Sequence, residues 1–436
     1  VTATAPDPAL LTALAALGNG HHKALHVDGL AAHALAQQFG TPLYVFAAAA
    51  LDHQLAMVQA QFGTAVQVLY SIKANPNVAV VQRLRQRGAR AEIASLGELQ
   101  VARAAGHDPE HLRWAGPAKT AAELAAAVAA GVGCLHLEAP TEVAAVAAAA
   151  RAAGRRQGVA VRVHFPGAAA GARLRMAGAQ SRFGIDADQV PAVLRAIAAA
   201  PELHLRGLHT YAGTQQFDAA SFVRGAEQLV AAASAFEREL GLALDELHLG
   251  GGFGVPVFAG DPSFDLAAAG HGVRSLVAHA DRPGRRWYLE LGRYLVANAG
   301  VYLVAVVHQK YSGGVLQVAV DGGLHHCAAA CGVGSVVKRP PLLVAAADLH
   351  PSACAPVSVG GPLCTPADQF GAAVPLPPLG PGDLLAVLAA GAYGLTYSPA
   401  AFLSHPTPAE VLVADGVPHL VRDRGRPEDA LRGQHW

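Results

Sequence analysis

From residue 66 onward, short apolar runs alternate with helix-like stretches, and this rhythm restricts the fold more than any other feature of the chain. The runs are VQVLYSIKA (66–74), ARAEIAS (89–95), HLRWAG (111–116), CLHLE (134–138), VAVRVHF (159–165), LHLRGLHTYAG (203–213), LDELHLGGG (244–252) and RWYLELG (286–292). Between them lie stretches such as NVAVVQRLRQRG, TAAELAAAVAAG and ASFVRGAEQLVAAASAFEREL, the last preceded by Asp218 as a candidate cap. Strands alternating with helices build parallel βα units. Eight such units suit a closed (β/α)8 barrel better than an open doubly wound sheet, which stays the alternative on pattern alone. After residue 300 the runs shorten and are separated by Gly, Pro, Asp and Ser, as expected of an antiparallel β-domain. The expected division is a barrel over 46–292, with 1–45 and 293–436 forming the β-domain.

Composition removes several function classes. The chain is 52% hydrophobic and 15% charged, enough apolar surface for a large core, which excludes wholesale disorder. Its 32 basic residues balance 32 acidic ones, leaving no basic excess for nucleic acid or an anionic membrane. No apolar window is long enough to span a bilayer, and the start, VTATAPDPALL, lacks a basic and apolar leader. Five irregularly spaced cysteines make no disulfide framework. The expectation is a soluble, cytoplasmic protein.

Only five of the basic residues are lysines: Lys23, Lys73, Lys119, Lys310 and Lys338. In a (β/α)8 barrel, reacting groups sit at the C-terminal ends of strands. Lys73 closes the first run, where desolvation by the strand behind it can favour a neutral, nucleophilic amine. Lys119, after the third run, is second, and a surface lysine in a loop is the plainer reading of either. Gly250, Gly251, Gly252, Phe253 and Gly254 follow the seventh run, where backbone N–H groups can approach an anion. A tight turn without a ligand is the alternative. Glu290 and Arg293 close the eighth run; they either pair with each other or face a pyridine nitrogen and a phosphate.

A lysine amine, a phosphate cradle and an acid for a ring nitrogen are together what pyridoxal phosphate requires. The segments YSIKANPN, AEIASLGEL, GPAKT, SRFGI, GLHTYAGTQ, HLGGGFG, ELGR, GGPLCTPAD, GAYGLTYSPAAF and HPTPAEVLV occur in that order. In this the chain resembles the fold-type III pyridoxal-phosphate decarboxylases, the group of diaminopimelate and ornithine decarboxylases, from about residue 25 to 415. The resemblance implies an alanine-racemase-like TIM barrel plus an antiparallel β-domain, and a homodimer with shared sites. It implies that Lys73 bonds the cofactor aldehyde and Glu290 partners the pyridinium nitrogen. Gly251, Gly252, Gly254, Arg293 and Tyr393 fall where the family binds phosphate, and Thr214 among the cofactor contacts. Glu92 stands where the family usually has an aspartate near the lysine. Cys364 matches the cysteine that enters the site from the second subunit, accompanied by Asp368.

Two departures bear on activity. The histidine that stacks on the cofactor ring in the family is here Tyr211, while His209 is retained. Past Asp321, Ala329 and Val333 replace the arginine and tyrosine with which diaminopimelate decarboxylases grip a distal carboxylate. Thr365 replaces the acid with which diamine-forming relatives hold an ammonium. Lacking both grips, the chain resembles most the subgroup that decarboxylates amino acids tethered to acyl-carrier proteins. The implied function is a biosynthetic pyridoxal-phosphate-dependent amino-acid decarboxylase. The alternatives are a free-substrate decarboxylase such as one for diaminopimelate, a racemase on the same scaffold, and a non-catalytic binding protein. Because GPLCTPAD is absent from racemases and all of Lys73, Glu290 and Cys364 are present, the last two are disfavoured. His325, His326, Cys327 and Cys331 fit no standard zinc spacing, so no metal is expected.

Overall fold

The computed structural model describes residues 7–165, 172–175, 181–279, 282, 284–334 and 339–435; Lys338 lies outside this set. The described residues form two compact units, one from 54–254 and 264–294, the other from 1–53, 255–263 and 295–436.

The first unit is a closed barrel of eight parallel strands: β1 Val66–Ser71, β2 Arg90–Ile93, β3 Leu112–Trp114, β4 Cys134–Leu137, β5 Gln157–His164, β6 Leu203–His209, β7 Glu246–Gly251 and β8 Arg286–Leu291. Each pairs in parallel with the next, and β8 closes onto β1 through Leu289↔Val68 and Leu291↔Tyr70. All eight expected runs are barrel strands. The differences lie at strand ends. The first run stops at Ser71 and tightens into a 3-10 turn over Ile72–Ala74, which leaves Lys73 just beyond the strand. The sixth stops at His209, and Gly213–Gln216 forms a separate short strand.

Local chemistry sets the helix boundaries between strands. Ser95 accepts from Glu98 N, Thr120 and Glu123 make a reciprocal capping box, and Asp218 accepts from Ala220 N and Ser221 N at the head of Ala219–Leu240. Gly131 ends the helix Ala121–Ala130 at φ +81°, a conformation in which an L side chain is strained. Because helices cover the sheet from outside, the strands are buried on both faces, down to all eight residues of β5.

The second unit centres on a mixed, mostly antiparallel sheet in the order Gln369–Leu376, Ala355–Gly360, Val315–Val320, Gly300–Ser312, Leu43–Ala47, Ala409–Ala414, Val417–Arg422. Two of its pairings are parallel: Val315–Val320 with Ala355–Gly360, and Leu43–Ala47 with Ala409–Ala414. His326 lies in its core with both ring nitrogens engaged, 3.0 Å from Tyr302 Oη and 3.1 Å from Pro406 O. Cys327 and Cys331 are buried beside it and form no disulfide.

Candidate active site

The C-terminal ends of the barrel strands gather ionisable groups. Ser71 on β1 pairs with Glu92 on β2, which brings Glu92 level with the turn that carries Lys73. Lys73 Nζ lies 2.9 Å and 3.2 Å from the two Glu92 oxygens. The lysine side chain is 43% exposed and that of Glu92 3%. The amine therefore stands at an open mouth in an ion pair, rather than in the desolvated setting expected from the strand behind it. Glu92 orients it.

Glu290 on β8 is buried and level with Leu69 on β1 and Gly251 on β7. His209 Nε2 lies 2.9 Å from Glu290 Oε2. Burial pushes the His209 imidazole down to about 3, so it is neutral, and its N–H is assigned to Nε2, which donates to the carboxylate. His136 stacks on His209 with ring centroids 4.4 Å apart. The other oxygen, Glu290 Oε1, has no hydrogen-bond partner among the described residues. Burial raises the Glu290 carboxyl above its ordinary range, against the lowering influence of His248, Lys73 and Arg162. A buried acceptor without a donor calls for an explanation, and a protonated ring nitrogen supplies one.

The glycine run forms a turn at the end of β7. Gly250 and Gly252 have φ +68° and +77°. A Cβ on Gly252 would collide with the Gly213 carbonyl, and one on Gly254 would reach the Phe217 ring at 2.5 Å. Gln216 N donates to Gly252 O at 3.0 Å, and Gly254 N to Gln216 O at 2.8 Å, so the turn is locked to the segment after β6 that carries Thr214. Gly252→Ala is expected to cost about 2–4 kcal/mol from positive φ and overpacking. Equilibrium urea unfolding measures that loss, and cofactor titration should show at least a tenfold fall in affinity.

Tyr211 lies beside this turn. Its hydroxyl is 3.1 Å from where a Gly252 Cβ would stand, and Arg162 sits 6.0 Å from its ring centroid. Arg162 pairs with buried Glu138 at 2.9 Å, and Glu138 also accepts from Gly116 N and Gly184 N, tying the SRFGI segment to the barrel. Arg293 opens the short helix Arg293–Val296 directly after β8. Cys364, Thr365, Asp368 and Tyr393 belong to the other unit. There Cys364 is exposed, and Asp368 accepts from Leu324 N at 2.6 Å and Leu363 N at 2.7 Å, clasping the Cys364 loop to the loop after Asp321.

The side chain of Lys119 is buried and structural. Nζ lies 3.0 Å from Glu142 and donates to Gly116 O and His136 O. Its removal strands a buried carboxylate, so Lys119→Met should destabilise the chain by about 3–5 kcal/mol in urea unfolding.

Sequence reasoning missed His136, His248, Glu246, Arg113 and Arg162, all of them buried. Their signal was available as polar residues inside otherwise apolar runs (CLHLE, ELHLGG, HLRWAG, VAVRVHF), at positions that a barrel strand turns inward or packs.

Comparison with known proteins accords with this geometry. Residues 48–297 match the family described as pyridoxal-dependent decarboxylase, pyridoxal binding domain. An L-glutamyl-[BtrI acyl-carrier protein] decarboxylase of Niallia circulans is 33% identical over 94% of this chain and 97% of its own. A diaminopimelate decarboxylase of Deinococcus radiodurans is 35% identical over 92% and 98%. Among solved structures, diaminopimelate decarboxylase from M. jannaschii in complex with L-lysine shares the fold, with a TM-score of 0.86 at 23% identity, over 96% of this chain and 99% of that one. The class is thus a (β/α)8 barrel enzyme with a second, β-rich unit. Within it, the chain belongs to the pyridoxal-dependent decarboxylases, and its cofactor is pyridoxal phosphate. Among the described residues, no helix is long and apolar enough to cross a membrane.

Proposed function

We propose that this decarboxylase acts on an amino acid whose distal carboxyl is held as a thioester on an acyl-carrier protein, an acidic amino acid such as glutamate being the best candidate. The observation that carries the reading is the loop after Asp321, where Ala329 and Val333 stand in place of an arginine and a tyrosine that grip a free carboxylate. A distal carboxyl esterified to a carrier is neutral and is positioned by its tether, so neither grip is needed. The similarity to a relative named for a carrier-bound glutamyl substrate supports this.

The residues fit the cofactor. Lys73 would bond its aldehyde carbon, with Glu92 orienting the amine. The glycine turn, Thr214 and Arg293 would hold the phosphate. Tyr211 would flank the ring from the side of the turn, and Glu290 would accept from the protonated ring nitrogen. When bound, pyridoxal phosphate supplies an electron-poor ring that takes up the electron pair left as the Cα–carboxylate bond breaks. Glu290 maintains that capacity by keeping a proton at the nitrogen. Cys364, from a second copy of the chain in a two-fold dimer, would return a proton to Cα.

A CO2-release assay of free amino acids beside aminoacyl-loaded carrier proteins tests the substrate. The expected result is turnover of a carrier-bound amino acid roughly 100-fold or more above the same amino acid free. Equal or faster turnover of free diaminopimelate would overturn it.

A further inference from the structure

At the end of the barrel opposite Lys73, a cleft of about 320 Å³ opens beside the starts of the first three strands. Arg85, Arg90, His107 and His111 line it, with Asp108 as its one carboxylate. Arg85 stands in the last turn of the helix Val78–Gln86, and Arg90 opens β2. His111 ends the short turn Pro109–His111 that leads into β3.

Positive charge in this cleft is poorly compensated. Neither guanidinium has an ion-pair partner among the described residues, and both side chains are half-buried. Arg85 Nε donates to Ala105 O at 2.8 Å, just past the helix Leu96–Ala104. Arg90 Nη1 lies 3.5 Å from Tyr288 Oη. Capping a helix end and meeting a phenol thus occupy one of the five N–H donors on each arginine and leave its charge unmatched. Asp108 is exposed and accepts from Glu110 N at 3.0 Å, holding the turn in place.

His107 is an independent sign. It is 7% exposed, yet its ring makes no hydrogen bond among the described residues. Burying an imidazole without a partner is costly, and this one borders the cleft. Burial first, then Arg85 and His111, push it down to about 4, so the ring is neutral, with one N–H to donate.

We propose that this cleft is a second anion site, which takes the phosphate group of free phosphate or of a small phosphate monoester. A phosphate dianion matches the two guanidinium charges. Its tetrahedral oxygens can accept from the helix side, the strand side and the imidazole together, whereas a carboxylate offers two oxygens in one plane. The volume lies at the lower end of the range of small-molecule clefts, which leaves room for the body of an ester. The glycine turn, at the end of β7, belongs to the other end of the barrel.

Calorimetric titration of the cofactor-loaded protein in low-salt buffer tests this, with inorganic phosphate, glycerol 3-phosphate and succinate as separate probes. Either phosphate probe should saturate one site per chain with a Kd near or below about 1 mM. Tighter binding of glycerol 3-phosphate marks a monoester as the ligand, and equal or tighter binding of inorganic phosphate marks the free ion. Arg85→Gln and Arg90→Gln should each weaken the binding at least tenfold while CO2 release without phosphate stays at the parent's rate, and either variant serves if the other fails to fold. The absence of saturable binding of both phosphate probes up to about 10 mM overturns the proposal. So does a folded variant that binds phosphate as the parent does, or succinate bound as tightly as phosphate.

Discussion

Lys73→Ala is expected to lower decarboxylation by roughly 10⁴-fold or more, and to abolish the visible absorption that a lysine-bonded cofactor gives the purified protein. The amine stands just past β1 at an open mouth, oriented by a carboxylate that is itself 3% exposed. The variant leaves the buried Glu92 carboxylate without its cation and is expected to be less stable than the parent, yet to fold, since the lysine side chain itself is 43% exposed. Thermal unfolding of the cofactor-free variant well above the assay temperature would show that the lost turnover is chemical. Wild-type CO2 release from Lys73→Ala would end the assignment.

Glu290→Gln is expected to reduce turnover by roughly 10²–10³-fold, because an amide cannot keep the ring nitrogen protonated and the electron sink weakens. The same substitution has a separate signature in the apoprotein. Burial raises the folded carboxyl above its unfolded value, so its contribution to stability is complete below the ordinary carboxylate range and is lost as pH rises through the raised value. Glu290→Gln removes that slope. Urea unfolding of the cofactor-free proteins should therefore show the variant gaining on the parent as pH increases above that range. A difference that does not change with pH would mean the carboxyl is not perturbed by burial.

The barrel was legible because its eight strands are buried on both faces and read as separate apolar runs, with Thr120, Asp218 and similar caps marking the helices between them. The ends of strands were less so. YSIKA reads as continuous strand, yet the 3-10 turn at Ile72–Ala74 is what puts Lys73 outside it. The glycine turn was visible in composition, while the reason for its glycines, the close approach of the Gly213 carbonyl and the Phe217 ring, depends on a segment about 40 residues earlier in the chain. The desolvation argument alone did not reach the Lys73–Glu92 ion pair, because the partner comes from the neighbouring strand; the resemblance had set Glu92 near the lysine. The polar interior went unread for a related reason. His136, His209, His248 and Glu290 come from four different strands, and only barrel closure makes them neighbours. Lys119 shows the converse: it stands near a strand end, as a reacting lysine would, but the Glu142 carboxylate and two carbonyls hold it as part of the scaffold.

Reduction of the cofactor-loaded protein with borohydride, followed by peptide mass mapping, addresses the identity of the reacting amine directly. A phosphopyridoxyl group fixed to the peptide containing residue 73, and absent from that containing Lys119, is the predicted result. Attachment at any other lysine, or a protein that binds the cofactor without forming a reducible bond, would contradict it.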